Sequence, residues 1–237
     1  IRDRVIDMNL KQIRNATMII EYANKKFLID PMLGDKGIYP PFPGTHNQHL
    51  NNPIVELPVS MEEVLDIDAV IVTHIHLDHF DPVAMEIIPK DMKMFAQNED
   101  EANQMKEAGF TNIEVLKEEG TLFGDIKLIK TPAKHYSDAS IAELFRQLNT
   151  ADEACGVVFE HEDEKTLYVM GDTVWYDELK DVFAKYAPEV VTVNAGNAQF
   201  VDGRYLIMSK DDFFEAVKVA PNAQFVATNM AVSYTHL

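Results

Sequence analysis

The chain has 237 residues and a formal net charge of −18, because 39 Asp and Glu outnumber 21 Lys and Arg. This negative charge repels phosphate groups, so the composition argues against a nucleic-acid-binding surface and against binding to an anionic membrane. Hydrophobic residues make up 46% of the chain, a fraction that is ordinary for a globular protein and too high for a disordered one.

Cysteine content and hydropathy predict the compartment. Cys155 is the one cysteine of the chain, so it cannot form an internal disulfide. No apolar run approaches the roughly 20 residues that a membrane-spanning helix needs. We therefore expect a cytoplasmic protein from a reducing compartment.

The two ends of the sequence differ in character from the rest. A regular strand pattern begins at Met8, and residues 232–237 resemble the translation of a sequencing-library adaptor. We expect a single domain over residues 8–231, flanked by foreign ends at 1–7 and 232–237. On this interpretation a C-terminal segment of the natural protein is missing.

The predicted elements begin with three short strands at 9–14, 17–22 and 25–29. A long irregular loop follows over residues 31–58, and it holds six of the eleven prolines. Loops of this length in a compact domain are usually functional or mobile.

Signals for two helices and a buried strand follow the loop. Ser60 and Glu63 fit a capping box, in which a hydroxyl and a carboxylate satisfy free amides at the start of a helix. The continuous apolar run 69–72 is typical of a strand that is buried on both faces. Pro82 then predicts another helix, because proline suits the first helical turn.

The rest of the chain alternates between helices and strands, which predicts an α/β fold. Strands 155–160 and 166–170 are separated only by a short acidic turn, so we expect mixed rather than all-parallel sheets. The sequence contains no Gly-rich phosphate loop that would favour nucleotide binding. Further helices are predicted at 98–108, 175–186 and 209–219. Further strands are predicted at 93–95, 113–116, 126–130, 155–160, 166–170, 189–193 and 224–227.

Residues 73–81 read Thr-His-Ile-His-Leu-Asp-His-Phe-Asp and follow the apolar run directly. Imidazole nitrogen and carboxylate oxygen are the usual ligands of zinc and similar cations, and clefts in α/β folds form at strand ends. An exposed His-rich loop would explain any single histidine, but the combination indicates a metal site. Its candidate ligands are His74, His76, Asp78 and His79.

This run matches the His-x-His-x-Asp-His signature of the metallo-β-lactamase superfamily, and the similarity extends over about residues 9–230. The resemblance implies a C-terminally truncated α/β fold, a four-layer αββα sandwich of two mixed β-sheets. His135 and Asp172 each follow a predicted strand, in positions where the family supplies further ligands. Asp30, at the end of an early strand, is similar to the family's structural aspartate.

The resemblance also implies how two metal ions are bound. Three histidines hold the first metal, Asp78 and His79 hold the second, and a carboxylate bridges the pair. Position 76 is His where oxygen-reducing di-iron members carry Glu, so one or two zinc ions are expected, with manganese and iron as open alternatives. The implied ligands of the first metal are His74, His76 and His135, and the bridging residue is Asp172.

The expected chemistry is hydrolysis. A metal pair lowers the pKa of a bridging water, which yields metal-bound hydroxide near neutral pH. Asp78 is the expected catalytic residue, because it can hold that water and later pass a proton to the leaving group. We therefore predict a zinc-dependent hydrolase that acts on a small ester, lactone or phosphoester.

One position departs from the family pattern. Asn229 stands where the family contributes a further histidine to the second metal, and an amide oxygen is a poor zinc ligand beside imidazole. The second site is then expected to be weak or empty. Two explanations stay open, a natural single-metal variant or a corrupted sequence close to residues 232–237.

Four residues near the implied ligands are candidates for binding the substrate. His46 belongs to the long loop, which could fold over the metals, and Tyr136 directly follows an implied ligand. Trp175 and Tyr176 lie a few residues behind the bridging carboxylate. For each of the four, packing or capping is an equally good explanation.

Segments 14–17, 28–31 and 73–74 are most similar to the bacterial branch that includes ascorbate-6-phosphate lactonase. The alternatives are a phosphodiesterase of the same superfamily and a non-catalytic metal-binding protein, which Asn229 favours. The expected partner is a small-molecule substrate, and neither nucleic acid nor a membrane is expected to bind. The oligomeric state stays open, with a homo-oligomer among the options.

Overall fold

Two six-stranded β-sheets pack face to face in a computed structural model that describes residues 8–148 and 150–230 of the chain. The ends predicted at 1–7 and 232–237 lie outside the described residues, and the 8–231 domain boundary stays a prediction. None of the described helices is long and apolar enough to cross a bilayer.

The first sheet is built from the first half of the chain, with its strands in sequence order. These strands are β1 (Asn9–Arg14), β2 (Thr17–Tyr22), β3 (Lys25–Ile29), β4 (Ala69–Ile71), β5 (Lys93–Ala96) and β6 (Ile113–Val115). β1, β2 and β3 pair antiparallel, whereas β3, β4, β5 and β6 pair in parallel. Ile29 of β3 therefore lies opposite Met18 on one side and Ile71 on the other.

The second sheet repeats this arrangement in reverse order. Its strands are β7 (Thr121–Phe123), β8 (Ile126–Pro132), β9 (Cys155–Glu160), β10 (Leu167–Val169), β11 (Val190–Asn194) and β12 (Gln224–Thr228). β7 to β10 pair antiparallel, and β10 to β12 pair in parallel. Both sheets are mixed, as the sequence predicts.

The described helices pack outside the two sheets or beside them. They are α1 (Met61–Leu65), α2 (Pro82–Ile87), α3 (Glu99–Glu107), α4 (Ala139–Gln147), α5 (Glu178–Tyr186) and α6 (Lys210–Val219). The first three cover the first sheet, and α5 and α6 cover the second. α4 packs on neighbouring loops through Ile141 and Phe145.

The inner faces of the sheets share one apolar core. Phe27 of the first sheet meets Phe159 of the second edge to face, with ring centroids 5.2 Å apart. Tyr22 donates its hydroxyl across the same interface to the carbonyl of Phe159, at 3.1 Å. Alternate side chains of each strand point inward, so both sheets contribute to one core. The four-layer αββα sandwich predicted from the sequence is confirmed.

The helix-start signals are partly reproduced. Ser60 accepts a hydrogen bond from the backbone N–H of Glu63, and Pro82 occupies the first turn of α2. The Glu63 carboxylate does not return to the helix start, because it pairs with Lys11 of β1. The capping box is therefore only half present.

Three parts of the prediction differ from the structure. The structure contains helix α4 and strand β7, which the sequence analysis did not predict. The helix predicted at 175–186 begins at Glu178 instead. Trp175 and Tyr176 consequently lie in the loop that precedes α5, not on the helix. β7 has only three residues, too few to display the alternation that identifies a strand.

Candidate metal centre

The predicted ligands meet at one edge of the sandwich, beyond the carboxyl ends of several strands. Parallel strands of one sheet end at the same edge, so residues that follow them come together although they are far apart in sequence. The residues placed at this edge are Asp30 after β3, His74 after β4, His135 after β8, Asp172 after β10 and Asn194 at the end of β11.

Three histidine nitrogens converge on one point. Nε2 of His74 lies 3.0 Å from Nδ1 of His76, and that atom lies 3.2 Å from Nε2 of His135. Tetrahedral zinc binds nitrogen at about 2.0–2.1 Å, which separates its nitrogen ligands by about 3.3 Å. The spacing of the three nitrogens fits a single cation.

In two of these histidines, the N–H of the other ring nitrogen donates a hydrogen bond to a backbone carbonyl. Nε2 of His76 lies 2.7 Å from the carbonyl oxygen of Ala151, and Nδ1 of His135 lies 2.9 Å from that of Leu206. A carbonyl only accepts, so the proton of each ring sits on the outer nitrogen. The inner nitrogens therefore present lone pairs to the common point.

The third histidine is fixed by a hydrogen-bond chain. Thr73 donates its only hydroxyl proton to Asp30 at 2.7 Å, so its oxygen must accept from Nδ1 of His74, 3.2 Å away. The inner nitrogen of His74 is thus also unprotonated. Three lone pairs within such short distances repel one another, and a bound cation is the group that relieves this repulsion.

A second group of ligand atoms lies beside the first. His79 donates the N–H of Nδ1 to Asp30 at 2.8 Å, and its other ring nitrogen, Nε2, is buried. That Nε2 lies 3.1 Å from Oδ2 of Asp172, which is also 3.5 Å from Nε2 of His135. One carboxylate oxygen therefore faces both groups, as a bridging ligand must.

Asp78 lies at the open side of this second group. Its Oδ2 is 3.9 Å from Nε2 of His79, and the residue lines the adjoining cavity. Burial raises the pKa of the Asp78 carboxyl. For Asp172, burial also acts to raise the pKa, but the neighbouring His79 and His135 outweigh it and hold the pKa well below its usual range. Asp172 is thus the carboxylate that favours the ionised form, and Asp78 is the one better suited to take up a proton.

Asn194 and Thr228 support the bridging carboxylate, and sequence reasoning missed both. Asn194 donates its amide to Oδ1 of Asp172 at 2.6 Å and accepts the hydroxyl of Thr228 at 2.6 Å. These bonds turn the other oxygen of Asp172 toward the ligand groups. The only sequence signal is a polar residue at the end of each apolar strand, which by itself predicts no contact.

Asn229, where a further histidine was expected, lies buried directly after β12 with 1% of its surface exposed. Its backbone N–H donates to the carbonyl of Asn15 at 3.1 Å. The side-chain amides of both asparagines have no hydrogen-bond partner among the described residues. The second group gathers ligand atoms of His74, His79 and Asp172. Asn229 adds no imidazole to it, and weaker metal binding at this group stays a prediction.

A cavity of about 440 Å³ opens onto the ligands. His76, Asp78, His135 and Asp172 form its polar floor, and apolar side chains form most of its walls. Among the described residues, the lining includes no Lys and no Arg. The apolar lining residues are Met32, Pro40, Pro41, Phe42, Pro43, Ile75, Leu77, Phe145, Ala151, Ala198 and Leu206.

The predicted substrate-binding residues do not reach this cavity, although the long loop does. None of the four is among the described residues that line it. His46 is half-buried elsewhere in the loop, and Tyr136 packs on the cluster around α4. Trp175 packs on Phe183 of α5, with ring centroids 6.1 Å apart, and Tyr176 joins the same cluster. A role for these four in binding substrate stays a prediction.

A buried arginine of β1 holds the long loop that forms one wall of the cavity. The Arg14 guanidinium, 3% exposed, donates to the carbonyls of Met32, Gly34 and Val55. These three carbonyls belong to both ends of the long loop. One side chain therefore fixes the loop against the first sheet.

The metal-binding segment holds the same loop from the other side. Asp81 caps α2 by accepting the N–H of Ala84 at 2.8 Å. Its second oxygen accepts the N–H of Gly34 at 2.7 Å and the hydroxyl of Tyr39 at 2.9 Å. The loop is thereby positioned relative to the ligands that precede Asp81 in sequence.

Comparison with known proteins agrees with this geometry. Residues 25–228 match the family model described as a beta-lactamase superfamily domain. UPF0173 protein YddR from Bacillus subtilis (strain 168) is 50% identical over 224 residues, which cover 94% of this chain and 85% of that relative.

Two solved structures superpose on most of the chain. An isothiocyanate hydrolase from Delia radicum gut bacteria has a TM-score of 0.89 and 42% identity, covering 96% of this chain and 87% of that chain. A possible metal-dependent hydrolase from Veillonella parvula DSM 2008 has a TM-score of 0.90 and 35% identity, covering 98% and 88%. The chain therefore belongs to the beta-lactamase superfamily, as a metal-dependent hydrolase with the metallo-β-lactamase fold.

Proposed function

We propose that this chain hydrolyses small uncharged molecules, with isothiocyanates as the substrate class and zinc as the metal. The observation that carries the proposal is the cavity itself, which places apolar walls and no Lys or Arg among its described residues over a His and Asp centre. The 42% identical structural relative named as an isothiocyanate hydrolase supports the choice of substrate.

The donor set supports zinc. Three imidazole nitrogens suit zinc and similar borderline cations better than magnesium or calcium, which prefer oxygen. His74, His76 and His135 would hold the first ion, and His79, Asp78 and Asp172 the second. The cytoplasmic location stays a prediction, and the oligomeric state stays open.

An isothiocyanate, R–N=C=S, carries an electrophilic central carbon and a leaving nitrogen. Addition of water to that carbon, followed by cleavage of the C–N bond, gives an amine and carbonyl sulfide, so the atoms balance without a further reactant. A bound metal supplies a lowered pKa for the attacking water. The Asp78 carboxylate would accept one proton of that water and pass it to the nitrogen. It would then relay the proton of the added hydroxyl to the same nitrogen as the C–N bond breaks, so the amine leaves with both protons.

The cavity discriminates by charge. A phosphomonoester or phosphodiester carries negative charge that needs Lys, Arg, backbone N–H or metal partners when it is desolvated. The described lining offers no cationic side chain, and the net charge of −18 adds long-range repulsion. Apart from the metal, the described lining therefore offers an anion no cationic partner, and we expect neutral substrates to fit this site better than the phosphorylated lactone or the phosphodiester that sequence reasoning left open.

The test compares neutral and anionic substrates on zinc-loaded protein. We expect amine release from benzyl isothiocyanate and little turnover of bis(p-nitrophenyl) phosphate. Asp78→Asn should lower kcat by about 100-fold or more, because it removes the proton acceptor, while the zinc held by the three histidines is retained. Asp66→Asn, an exposed carboxylate paired with Lys26, is the matched control and should change neither quantity. Faster hydrolysis of the phosphodiester than of the isothiocyanate would contradict the proposal.

A further inference from the structure

Glu101 is a buried carboxylate that the proposed chemistry does not use. It is the third residue of α3, a position where acidic side chains usually stay in solvent and interact with the helix N-terminus. Here the side chain turns into the protein, and the residue is only 2% exposed.

Its contacts lead directly to the metal ligands. Oε1 of Glu101 accepts the backbone N–H of Ile75 at 3.0 Å, and Ile75 is the residue between His74 and His76. Gln97 donates its side-chain amide to the same oxygen at 2.7 Å. The carboxylate thus holds the peptide that joins two ligands of one metal.

Gln97 extends this contact to the other side of His76. Its side-chain amide also donates to the backbone carbonyl of Glu153 at 3.0 Å, and the backbone carbonyl of Gln97 accepts a hydrogen bond from Nζ of Lys130 at 2.6 Å. Glu153 lies two residues beyond Ala151, whose carbonyl oxygen lies 2.7 Å from Nε2 of His76. Glu101 and Gln97 therefore join the backbone that carries His76 to the segment that orients its ring.

This arrangement costs stability. Oε2 of Glu101 is buried and has no hydrogen-bond partner among the described residues. A buried carboxylate with one unpaired oxygen is usually less favourable than an apolar side chain of similar size. An apolar side chain would pack α3 more favourably. A gain in folding stability therefore does not explain why position 101 carries a carboxylate.

We propose that Glu101 is a positioning residue for the first metal, acting through the Ile75 peptide and through Gln97 to hold His76 in its ligand geometry. Groups that orient metal ligands typically contribute about 10- to 100-fold to metal affinity. The inference rests on the metal centre and not on the substrate class. Failure of the isothiocyanate assay would therefore leave it standing.

The test measures metal binding rather than turnover. Zinc Kd is measured by competition with a chromophoric chelator, and the visible spectrum of the cobalt-substituted protein reports ligand geometry. Glu101→Ala should raise the zinc Kd by about 10- to 100-fold and shift the cobalt spectrum. Glu101→Gln keeps an acceptor oxygen for Ile75 and should stay within about threefold of the original Kd. Glu99→Ala, an exposed residue of the same helical turn, should change neither readout.

A second variant keeps the inference testable if Glu101→Ala does not fold. Gln97→Met removes the donor while keeping the length of the side chain, and we expect it to raise the zinc Kd by about 3- to 10-fold. Unchanged Kd and cobalt spectrum in Glu101→Ala or in Gln97→Met, with only a lower Tm of the metal-free protein, would overturn the proposal. Such a result would mean that Glu101 contributes only to the packing of α3.

Discussion

The histidines of the metal centre differ in how strongly they hold a proton when no metal is bound. Burial lowers the pKa of His74 well below its usual range and that of His76 to about 3. Burial also acts to lower the pKa of His79, but the carboxylates of Asp172 and Asp30 outweigh it and raise that pKa well above the usual range. A proton therefore competes with the cation at His79 and not at His74 or His76.

Lowering the pH from about 8.5 to about 6 should release the second metal and keep the first. Binding at His79 requires loss of its proton, so the affinity of that position falls about tenfold per pH unit below the raised pKa. Zinc per folded chain, measured by elemental analysis after dialysis, should fall from about two to about one. His79→Ala should hold about one zinc at both pH values. Simultaneous loss of both metals would contradict this assignment.

The types of the residues and their order in the sequence predict which side chains come together as metal ligands. They do not predict which residues hold those ligands in place. His74, His76 and His79 lie in one short segment, so their proximity follows from the sequence itself. Glu101 and Asn194 reach the centre only because α3 and β11 pack where they do. Such contacts depend on tertiary structure, and a single sequence carries no periodic signal for them.

At the scale of elements, the long loop forms a wall of the cavity because it is anchored at both ends. A guanidinium has several donors in a fixed planar arrangement, so Arg14 can serve three carbonyls at once. Burial lowers the pKa of Arg14, although the nearby Asp81 partly offsets this effect. The residues that hold this proline-rich wall, Arg14 and Asp81, do not themselves line the cavity.

Arg14→Lys should loosen the loop without emptying the metal centre. A single ammonium cannot reach the carbonyls of Met32, Gly34 and Val55 together, so we expect a loss of about 1–3 kcal/mol in the free energy of unfolding. KM for a neutral substrate should rise by about tenfold, while zinc content stays unchanged. Arg146→Lys, an exposed pair with Glu143 on α4, is the matched control. Loss of zinc in Arg14→Lys would show that the loop shapes the ligands and not only the wall.

Helix α4 illustrates which elements escape prediction. Its sequence carries a helix-start signal, because Asp138 accepts the N–H of Ser140, and Ile141 and Phe145 share the four-residue spacing of one helical face. Unlike α3 and α5, which have the same length, α4 packs on loops rather than on a sheet. Its place beside the cavity, where Phe145 lies 5.5 Å from the ring of His76, is set by those loops.

At the scale of the whole molecule, charge and cavity act in the same direction. The net charge of −18 produces a negative potential around the protein. The described cavity lining has no cationic side chain to offset this potential for an anionic substrate. Salt screens the repulsion during approach, whereas inside the cavity an anion would have the bound metal as its cationic partner and no cationic side chain of the described lining.

Two isothiocyanates that differ by one charge test this directly. For phenyl isothiocyanate, kcat/KM should be independent of salt between about 20 mM and about 500 mM. For 4-carboxyphenyl isothiocyanate it should be at least about tenfold lower at low salt and should rise as salt screens the repulsion. Leu77→Lys places a cation at the exposed rim of the cavity and should raise kcat/KM for the carboxylate alone. Equal rates for the two substrates at low salt would mean that charge does not select the substrate of this enzyme.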